Sequence, residues 1–187
     1  MGEFDKNELS FRLFLKKIHQ DFITNYKNGC FCFIFLFLYR LGRFFHCLHS
    51  NSRPPVRWFY RALICLFTIL IKPLTFIYGC FIPFSAKIGE RVEFRHAMFG
   101  IFLSCLAEIG DDVIIFHQVT VGSNNDSHTN PGAPKIGNKV LIGCGAKIIG
   151  KITIGDLVKI GANAVVVENV PANSTVVSER SRIISKS

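Results

Sequence analysis

Apolar residues recur at every sixth position through the C-terminal half of the chain. The series in one phase is Ile136, Ile142, Ile148, Ile154, Ile160, Val166 and Ala172. An amphipathic helix places apolar residues about 3.6 positions apart and a half-buried strand alternates them, so neither template fits this period. A short fixed period is typical of stacked repeats, each of which cannot bury its apolar face alone. The pattern therefore predicts a parallel β-helix.

The same period extends upstream, where it is interrupted twice. The earlier phases contain Ile82, Ile88 and Phe94, and then Leu103, Ile109, Ile115 and Val121. The first interruption is the step of nine residues from Phe94 to Leu103, and the second is the loop between Val121 and Ile136. Extra residues in a solenoid must leave the stack as loops on one face, which is often the binding face. We therefore expect the functional residues at these two interruptions.

The N-terminal segment, residues 1–79, has helical spacing instead. It predicts a helix within Asn7–Tyr26, a second from Cys30 to Leu48 after the Asn28-Gly29 break, and a third from Val56 to about Ile71, ending near Lys72-Pro73. The uncharged part of the third helix spans only about 15 Å, against about 30 Å for a bilayer core. A simple transmembrane span is not expected. Two alternatives stay open: packing within an oligomer, or contact with a membrane interface.

Positive charge is concentrated in the same segment. The chain carries 22 Lys and Arg against 13 Asp and Glu, a formal net charge of +9. Residues 1–79 hold eleven of the basic and four of the acidic residues. A basic, aromatic-rich segment suggests an anionic partner such as a membrane surface. Nucleic acid is not expected, because no recognition motif accompanies the charge.

Seven cysteines are scattered without a CxxC pair, and no cleavable signal peptide opens the chain. The odd number and the apolar surroundings predict free thiols rather than a disulfide framework or a metal site. We therefore expect a cytoplasmic protein, with peripheral contact at the inner face of the cytoplasmic membrane as an open alternative.

The repeat motif, apolar-Gly-x-x-small-x, resembles that of the hexapeptide-repeat acyltransferases over about Phe81 to Ile184. The resemblance implies a mainly β fold: a left-handed parallel β-helix of hexapeptide repeats with an N-terminal α-helical segment. It divides the chain into residues 1–79 and a β-helix domain, 80–187, from which loop 123–135 protrudes. It also implies acetyl-CoA as co-substrate, no metal, and a homotrimer in which each active site lies between two β-helices.

Two histidines are candidate catalytic residues. The segment around His96 resembles the one that carries the general base in serine acetyltransferases and related polysaccharide acetyltransferases. Imidazole titrates near neutral pH, so it can take and return the proton of an acceptor hydroxyl. His117 lies in a segment that looks like the HxVT-apolar-Gly motif of the same group, at the repeat position of His96. It is expected to bind the acceptor, orient the base or polarise the thioester, and a purely structural role is equally open.

The substrate candidates are Glu93 and two residues of loop 123–135, Asn124 and His128. Serine acetyltransferases have a substrate-binding histidine just before Pro-Lys-Ile, where this chain has Ala133, so the role passes to His128 only in part. For coenzyme A, the resemblance implies a groove lined by backbone groups of successive coils, with basic residues on the phosphates. The matching positions are Gly122, Gly143, Cys144 and Ala162, with Lys159 and Arg182 as phosphate contacts.

The departures from the serine enzymes concern the acceptor. Those enzymes carry Asp-Ile-His-Pro at the first coil and Asp beside the catalytic histidine, where this chain has Phe81-Ile82-Pro83-Phe84 and Arg95. Tyr39-Arg40-Leu41, followed by Arg61, is similar to colanic acid and capsule acetyltransferases. We therefore expect acetyl transfer to a sugar hydroxyl of a bacterial surface polysaccharide, polymeric or nucleotide- or lipid-linked, without an acetyl-enzyme. The alternatives are serine O-acetyltransferase of cysteine biosynthesis and a non-catalytic hexapeptide-repeat scaffold.

Overall fold

The computed structural model describes residues 11–124 and 132–179. Three helices come first: α1 Phe11–Asn25, α2 Cys30–Asn51 and α3 Val56–Tyr78. A single 3₁₀ turn, Tyr26–Asn28, joins α1 to α2. The predicted order of three helices with a break at Asn28-Gly29 is therefore confirmed.

Helix α3 extends further than the sequence pattern predicted. Pro73 lies inside the helix, which continues to Tyr78 and ends at Gly79 in the left-handed conformation, with φ 54°. Proline removes only one backbone donor, and the burial of Leu74 and Tyr78 stabilises the turn beyond it. The prediction of an end near Lys72-Pro73 is wrong. The 23 residues of α3 span about 34 Å at the helical rise, not the shorter length inferred from the uncharged part alone.

Thirteen short strands follow in the part of the chain that the structure describes. They are β1 Lys87–Ile88, β2 Glu93–Phe94, β3 Phe102–Leu103, β4 Glu108–Ile109, β5 Ile114–Ile115, β6 Thr120–Gly122, β7 Lys135–Ile136, β8 Leu141–Ile142, β9 Lys147–Ile149, β10 Thr153–Ile154, β11 Lys159–Ile160, β12 Val165–Val166 and β13 Thr175–Val176. They form three parallel sheets, in the orders β1-β4-β7-β10, β2-β5-β8-β11-β13 and β3-β6-β9-β12. As far as β12 each sheet takes every third strand, so the chain winds around a three-sided prism, and β13 extends the second sheet beyond β11.

The apolar residues of the six-residue period form the interior of this prism. Ile115, Ile142, Ile148 and Ile154 are each 0% exposed. In the register of the sheets, Ile136 pairs with Ile154 and Ile142 with Ile160, so each buried side chain stacks on the equivalent one in the next coil. The predicted parallel β-helix is confirmed.

Polar side chains connect the coils at one corner of the prism. The backbone N–H of Glu90 donates to Asp111 Oδ1 (2.7 Å), that of Asp111 to Asn138 Oδ1 (2.8 Å), and that of Asn138 to Asp156 Oδ1 (2.6 Å). Each side-chain oxygen therefore accepts a hydrogen bond from a turn N–H of the preceding coil. Such an N–H lies outside the strands, so it needs a side-chain partner.

Helices α1 and α2 cover the open end of the β-helix. Asn25 Nδ2 donates to Val92 O and Asn25 Oδ1 accepts from Phe94 N, both at 2.9 Å. Asn25 thus replaces a neighbouring strand for β2. The hydroxyl of Tyr39 donates to Ala86 O (2.7 Å), and Arg43 Nη1 donates to the same oxygen (2.8 Å). An unpaired solenoid end needs such a cap, because exposed strand edges are sites of aggregation.

A buried ion pair holds the two capping helices together. Arg40 and Asp21 are each 3% exposed at the side chain and lie 2.7 Å apart. Arg40 also donates to Ile88 O (2.7 Å) and Gly89 O (2.8 Å) of the first coil. Part of the positive charge of the N-terminal segment is therefore buried and paired, and is not on the surface.

Two buried cysteines support the expectation that thiols pack as small hydrophobic groups. Burial raises the pKa of Cys32 to about 12 and that of Cys80 to about 11. Both thiols stay protonated at neutral pH and belong to the core.

Candidate active site

His96 lies in a turn of unusual backbone conformation at the first interruption of the repeat. His96, Ala97 and Met98 follow one another with φ of 61°, 57° and 63°. Left-handed conformation costs about 1–2 kcal/mol per residue with a Cβ, so three in succession need support from their surroundings. The Met98 side chain is 0% exposed, and Phe99 O accepts a 2.7 Å hydrogen bond from Gln118 N in the next coil. Such strained turns are concentrated at functional sites.

His117 lies beside His96 on the next coil. The register that pairs Phe94 with Ile115 puts the two histidines at equivalent corner positions, as their shared repeat position predicted. Their ring centroids are 5.1 Å apart and the rings are nearly perpendicular, at 89°. Among the described residues, His117 Nδ1 is buried and has no hydrogen-bond partner. The exposed His96 imidazole is therefore the one open to a substrate, with His117 behind it.

A concave surface in front of His96 encloses a volume of about 410 Å³. Its lining residues are Lys27, Asn28, Glu93, Arg95, His96, Ala97 and Phe116. Arg95 Nε donates to Glu93 Oε1 at 2.9 Å, and the Arg95 guanidinium lies 5.5 Å from the centre of the Phe116 ring. The two charged side chains remain accessible, at 46% and 29% exposure respectively. The site thus presents an imidazole, a guanidinium and a carboxylate on one surface.

Five of these seven lining residues were not among the sequence candidates, and three of the five are polar: Lys27, Asn28 and Arg95. Arg95 was noted only as a departure from the serine enzymes, and Lys27 and Asn28 were not considered. The turn that carries Lys27 and Asn28 reaches the site because Asn25, just before it, is bonded to the backbone of β2. The break at Asn28-Gly29 was the available signal, since a chain reversal next to a capping helix has to lie against the end of the β-helix.

Two of the candidate coenzyme A residues, Cys144 and Ala162, lie in one corner column of the prism together with the two histidines. His96, His117, Cys144 and Ala162 occupy equivalent positions on successive coils. Gly145 N donates to His117 O (3.0 Å), and Asn163 N donates to Cys144 O (2.8 Å). Since neighbouring strands are about 4.8 Å apart, this column extends about 14 Å from His96. Lys159 begins β11, in the same sheet as β2.

The remaining candidates differ in position. A Cβ on Gly143 would lie 2.7 Å from Ala162 N, so glycine is required there by the next coil, whatever the ligand. Gly122 belongs to β6 in another sheet, and its carbonyl accepts from Gly150 N at 3.0 Å. The Asn124 amide oxygen accepts from Gly132 N at 3.1 Å, so it closes the base of the loop and does not line the surface at His96. His128 and Arg182 lie outside the described residues.

The comparisons with known proteins agree with this geometry. Residues 133–167 match the family model for the bacterial transferase hexapeptide (six repeats). The chain is 39% identical over 151 residues to a serine acetyltransferase of Helicobacter pylori, which covers 81% of this chain and 80% of the relative. The chain belongs to the serine acetyltransferase family. The prediction of an acetyl-CoA-dependent acyltransferase is confirmed at the level of this family.

Solved serine acetyltransferases also share the fold. The enzyme isoform 3 from Entamoeba histolytica, in complex with cysteine, aligns with a TM-score of 0.72 at 26% identity, over 95% of this chain and 63% of that chain. The enzyme from Brucella abortus, in complex with coenzyme A, aligns with a TM-score of 0.70 at 26% identity, over 94% of this chain and 69% of that chain. Together with the repeat, these neighbours identify the left-handed β-helix with an N-terminal helical region that the resemblance implied.

These comparisons overturn the expectation of a polysaccharide acceptor, because the relatives are serine acetyltransferases. The structure gives a physical reason for the error. Tyr39 and Arg40, which suggested the capsule enzymes, donate hydrogen bonds to carbonyls of the first coil. These contacts hold the helices on the β-helix, so both residues have a structural role.

Proposed function

We propose that this chain is a serine O-acetyltransferase, which transfers the acetyl group of acetyl-CoA to the hydroxyl of L-serine. Family membership supports the reaction class. The observation that carries the acceptor is the set of three groups on one concave surface: the imidazole of His96, the carboxylate of Glu93 and the guanidinium of Arg95.

His96 is the general base of the proposed reaction. It removes the proton of the serine hydroxyl as the oxygen attacks the carbonyl carbon of the thioester. The tetrahedral intermediate then collapses, the carbon–sulfur bond breaks, and the proton on the imidazolium passes to the leaving thiolate of coenzyme A. The acetyl group moves directly from sulfur to oxygen, so the enzyme forms no covalent intermediate. In this proposal His117, 5.1 Å from His96 between ring centroids, orients the base.

Glu93 and Arg95 match the two charges of an amino-acid zwitterion. The carboxylate of Glu93 would bind the α-ammonium group and Arg95 would bind the α-carboxylate, each as a charge-assisted hydrogen bond. Lys27, on the same surface, adds positive charge on the carboxylate side. In this proposal Glu93 supplies the anchor for the ammonium group that Phe81, in place of the family's aspartate, does not provide.

Coenzyme A would lie along the corner column from His117 to Ala162. Cys144 is half-buried and Ala162 has a small side chain, so the pantetheine arm can approach the backbone closely there. Lys159 is exposed and is the candidate for a phosphate contact among the residues that the structure describes. A homotrimer that completes this groove with a neighbouring β-helix stays a prediction of the family resemblance.

The test is thiol release from acetyl-CoA with four acceptors: L-serine, ethanolamine, 3-hydroxypropionate and no acceptor. Ethanolamine lacks the carboxylate of serine and 3-hydroxypropionate lacks its ammonium group. We expect saturable release with L-serine, and much weaker release with the two analogues. Equal rates with all three hydroxyl compounds would contradict recognition by Glu93 and Arg95. Binding of coenzyme A without serine-dependent release would contradict the acceptor, and absence of binding would contradict acetyl transfer.

A further inference from the structure

Helix α3 exposes an apolar surface that the rest of the described chain does not cover. Only 11% of the most apolar stretch of α3 is buried, whereas 44% of the corresponding stretch of α2 is buried. The mean hydropathy of this stretch of α3 is 1.7. Its side chains toward α2 and the first coil, such as Ile71, Leu74 and Tyr78, are buried. The large apolar side chains on its other faces are exposed: Val56, Trp58, Phe59, Leu66, Ile69, Leu70, Phe76 and Ile77. An exposed apolar surface of this size indicates contact with another molecule or with a membrane.

The charges around this surface are all positive. The sequence contains no Asp or Glu between Asp21 and Glu90. The cations in that stretch that lie exposed near the start of α3 are Arg53, Arg57 and Arg61. The Arg61 guanidinium lies 5.8 Å from the Trp58 ring centre, so a cation and an amphipathic aromatic ring occur together, as at membrane interfaces.

The position of the arginines on the helix also favours an anionic partner. The N-terminus of a helix carries a partial positive charge. Cations near it therefore destabilise the helix, and anions stabilise it. The first turn of α3 has no acidic residue. Phosphate groups of lipids placed at Arg53, Arg57 and Arg61 would neutralise the side chains and the helix terminus together.

We propose that α3 docks the protein on the surface of a membrane that contains anionic phospholipid, lying in the interface with its exposed apolar side chains among the acyl chains. An interfacial position fits better than a span. Lys72 in the middle of the apolar part would be costly at the centre of a bilayer, and a span would separate Leu74 and Tyr78 from their contacts. A second copy of this chain is the less suitable occupant, because two such surfaces would bring like charges together. This docking does not depend on the proposed function.

Trp58 provides a direct probe, because it is the only tryptophan in the chain and is 69% exposed. The full chain is titrated with vesicles of phosphatidylcholine alone and with vesicles that contain one quarter phosphatidylglycerol. We expect Trp58 emission to shift to shorter wavelength only with the anionic vesicles, and the protein to cosediment with them. Salt should weaken this binding, since it screens the headgroup charge.

Two matched double variants test the charges. R57Q/R61Q should weaken binding to anionic vesicles about 30-fold, from the usual contribution of two basic residues near an anionic surface. K139Q/K151Q removes the same charge from the β-helix and should bind as the original chain does. Both variants should keep the same thermal unfolding midpoint, since all four substituted side chains are exposed.

Three results would overturn the proposal. The first is absence of binding to either vesicle, and the second is equal binding to both. The third is a change in the mass of the assembly in sedimentation for R57Q/R61Q, without vesicle binding by the original chain. That last result would assign the surface to contacts between copies.

Discussion

The regular and the interrupted coils of the β-helix use the same repeat for different purposes. Between Ile136 and Val166 every hexad contributes two buried side chains to the core, such as Ile142 and Ala146, and the next coil leaves no room for a side chain at Gly143. Between Phe94 and Leu103 three extra residues form the left-handed turn of His96. The turn of His96 therefore lies where the repeat is broken, because the buried positions of the regular hexads are already used for stacking.

The first prediction tests the interrupted coil and has the largest expected effect. In H96N the proton acceptor is lost, while asparagine tolerates the left-handed φ of 61° better than other replacements. Turnover with L-serine should fall about 10²–10⁴-fold, as for removal of a general base. Steady-state thiol release measures it. Gln118, with a φ of 60° at the same corner of the next coil, supplies the control Q118N, which should keep full activity. Turnover in H96N within a few-fold of the original would remove His96 from the mechanism.

The second prediction tests the regular coils. Ile148 is 0% exposed, and I148A should lower the free energy of unfolding by about 2–5 kcal/mol through lost burial and a cavity. Below the unfolding transition, the KM values and turnover should not change. Denaturant unfolding with parallel kinetics measures both. I148V should lose only about 0.5–1.5 kcal/mol. A kinetic defect in folded I148A would show that the regular coils also take part in catalysis.

The third prediction sharpens the role of the charged pair at His96. E93Q removes the carboxylate proposed for the ammonium group and should raise KM for L-serine about 10- to 100-fold, the size of one hydrogen bond to a charged group. KM for acetyl-CoA should stay the same. E108Q is the matched control, because Glu108 faces Lys87 and Lys135 at 3.5 Å on another sheet. If E93Q and E108Q have the same KM for serine, Glu93 does not bind the amino acid.

The fourth prediction concerns the junction of the helices with the first coil. N25A leaves Val92 O and Phe94 N without their partner, which should cost about 1–3 kcal/mol of stability. Hydrogen exchange at Phe94 should accelerate more than at Ile142. Asn51 bonds only to Cys47 O within α2 among the contacts described for its amide, so N51A should affect neither. Unchanged exchange at Phe94 in N25A would show that the cap is held by other contacts.

The fold could be read from the sequence because the repeat is local. Ile136 to Val166 keep one phase, and each residue meets its equivalent one coil away, so the pattern alone identifies the core. The left-handed turn was marked by the step from Phe94 to Leu103. Its backbone conformation was not readable, since it depends on support from Gln118 on the next coil.

The role of the N-terminal segment could not be read because its contacts with the β-helix are distant in sequence. Asn25 and Phe94 are bonded across 69 positions, and the contact brings Lys27 to the site. Tyr39 and Arg40 looked like marks of a polysaccharide enzyme, and their contacts with the first coil give them a structural role. The end of α3 was missed for the same reason, since burial of Leu74 and Tyr78 outweighs the proline.

The exact stacking of the regular coils makes each one an interchangeable unit of length. Ile136 and Ile154, Ile142 and Ile160, and Ile148 and Val166 pair in register, 18 residues apart. Adding or removing a whole coil after Ile154 would change the height of the prism by about 4.8 Å and leave every core side chain facing inward, whereas a single added residue would turn the following ones outward. The molecule can therefore lengthen or shorten in fixed steps during evolution or by engineering, while the turn that carries His96 stays as it is.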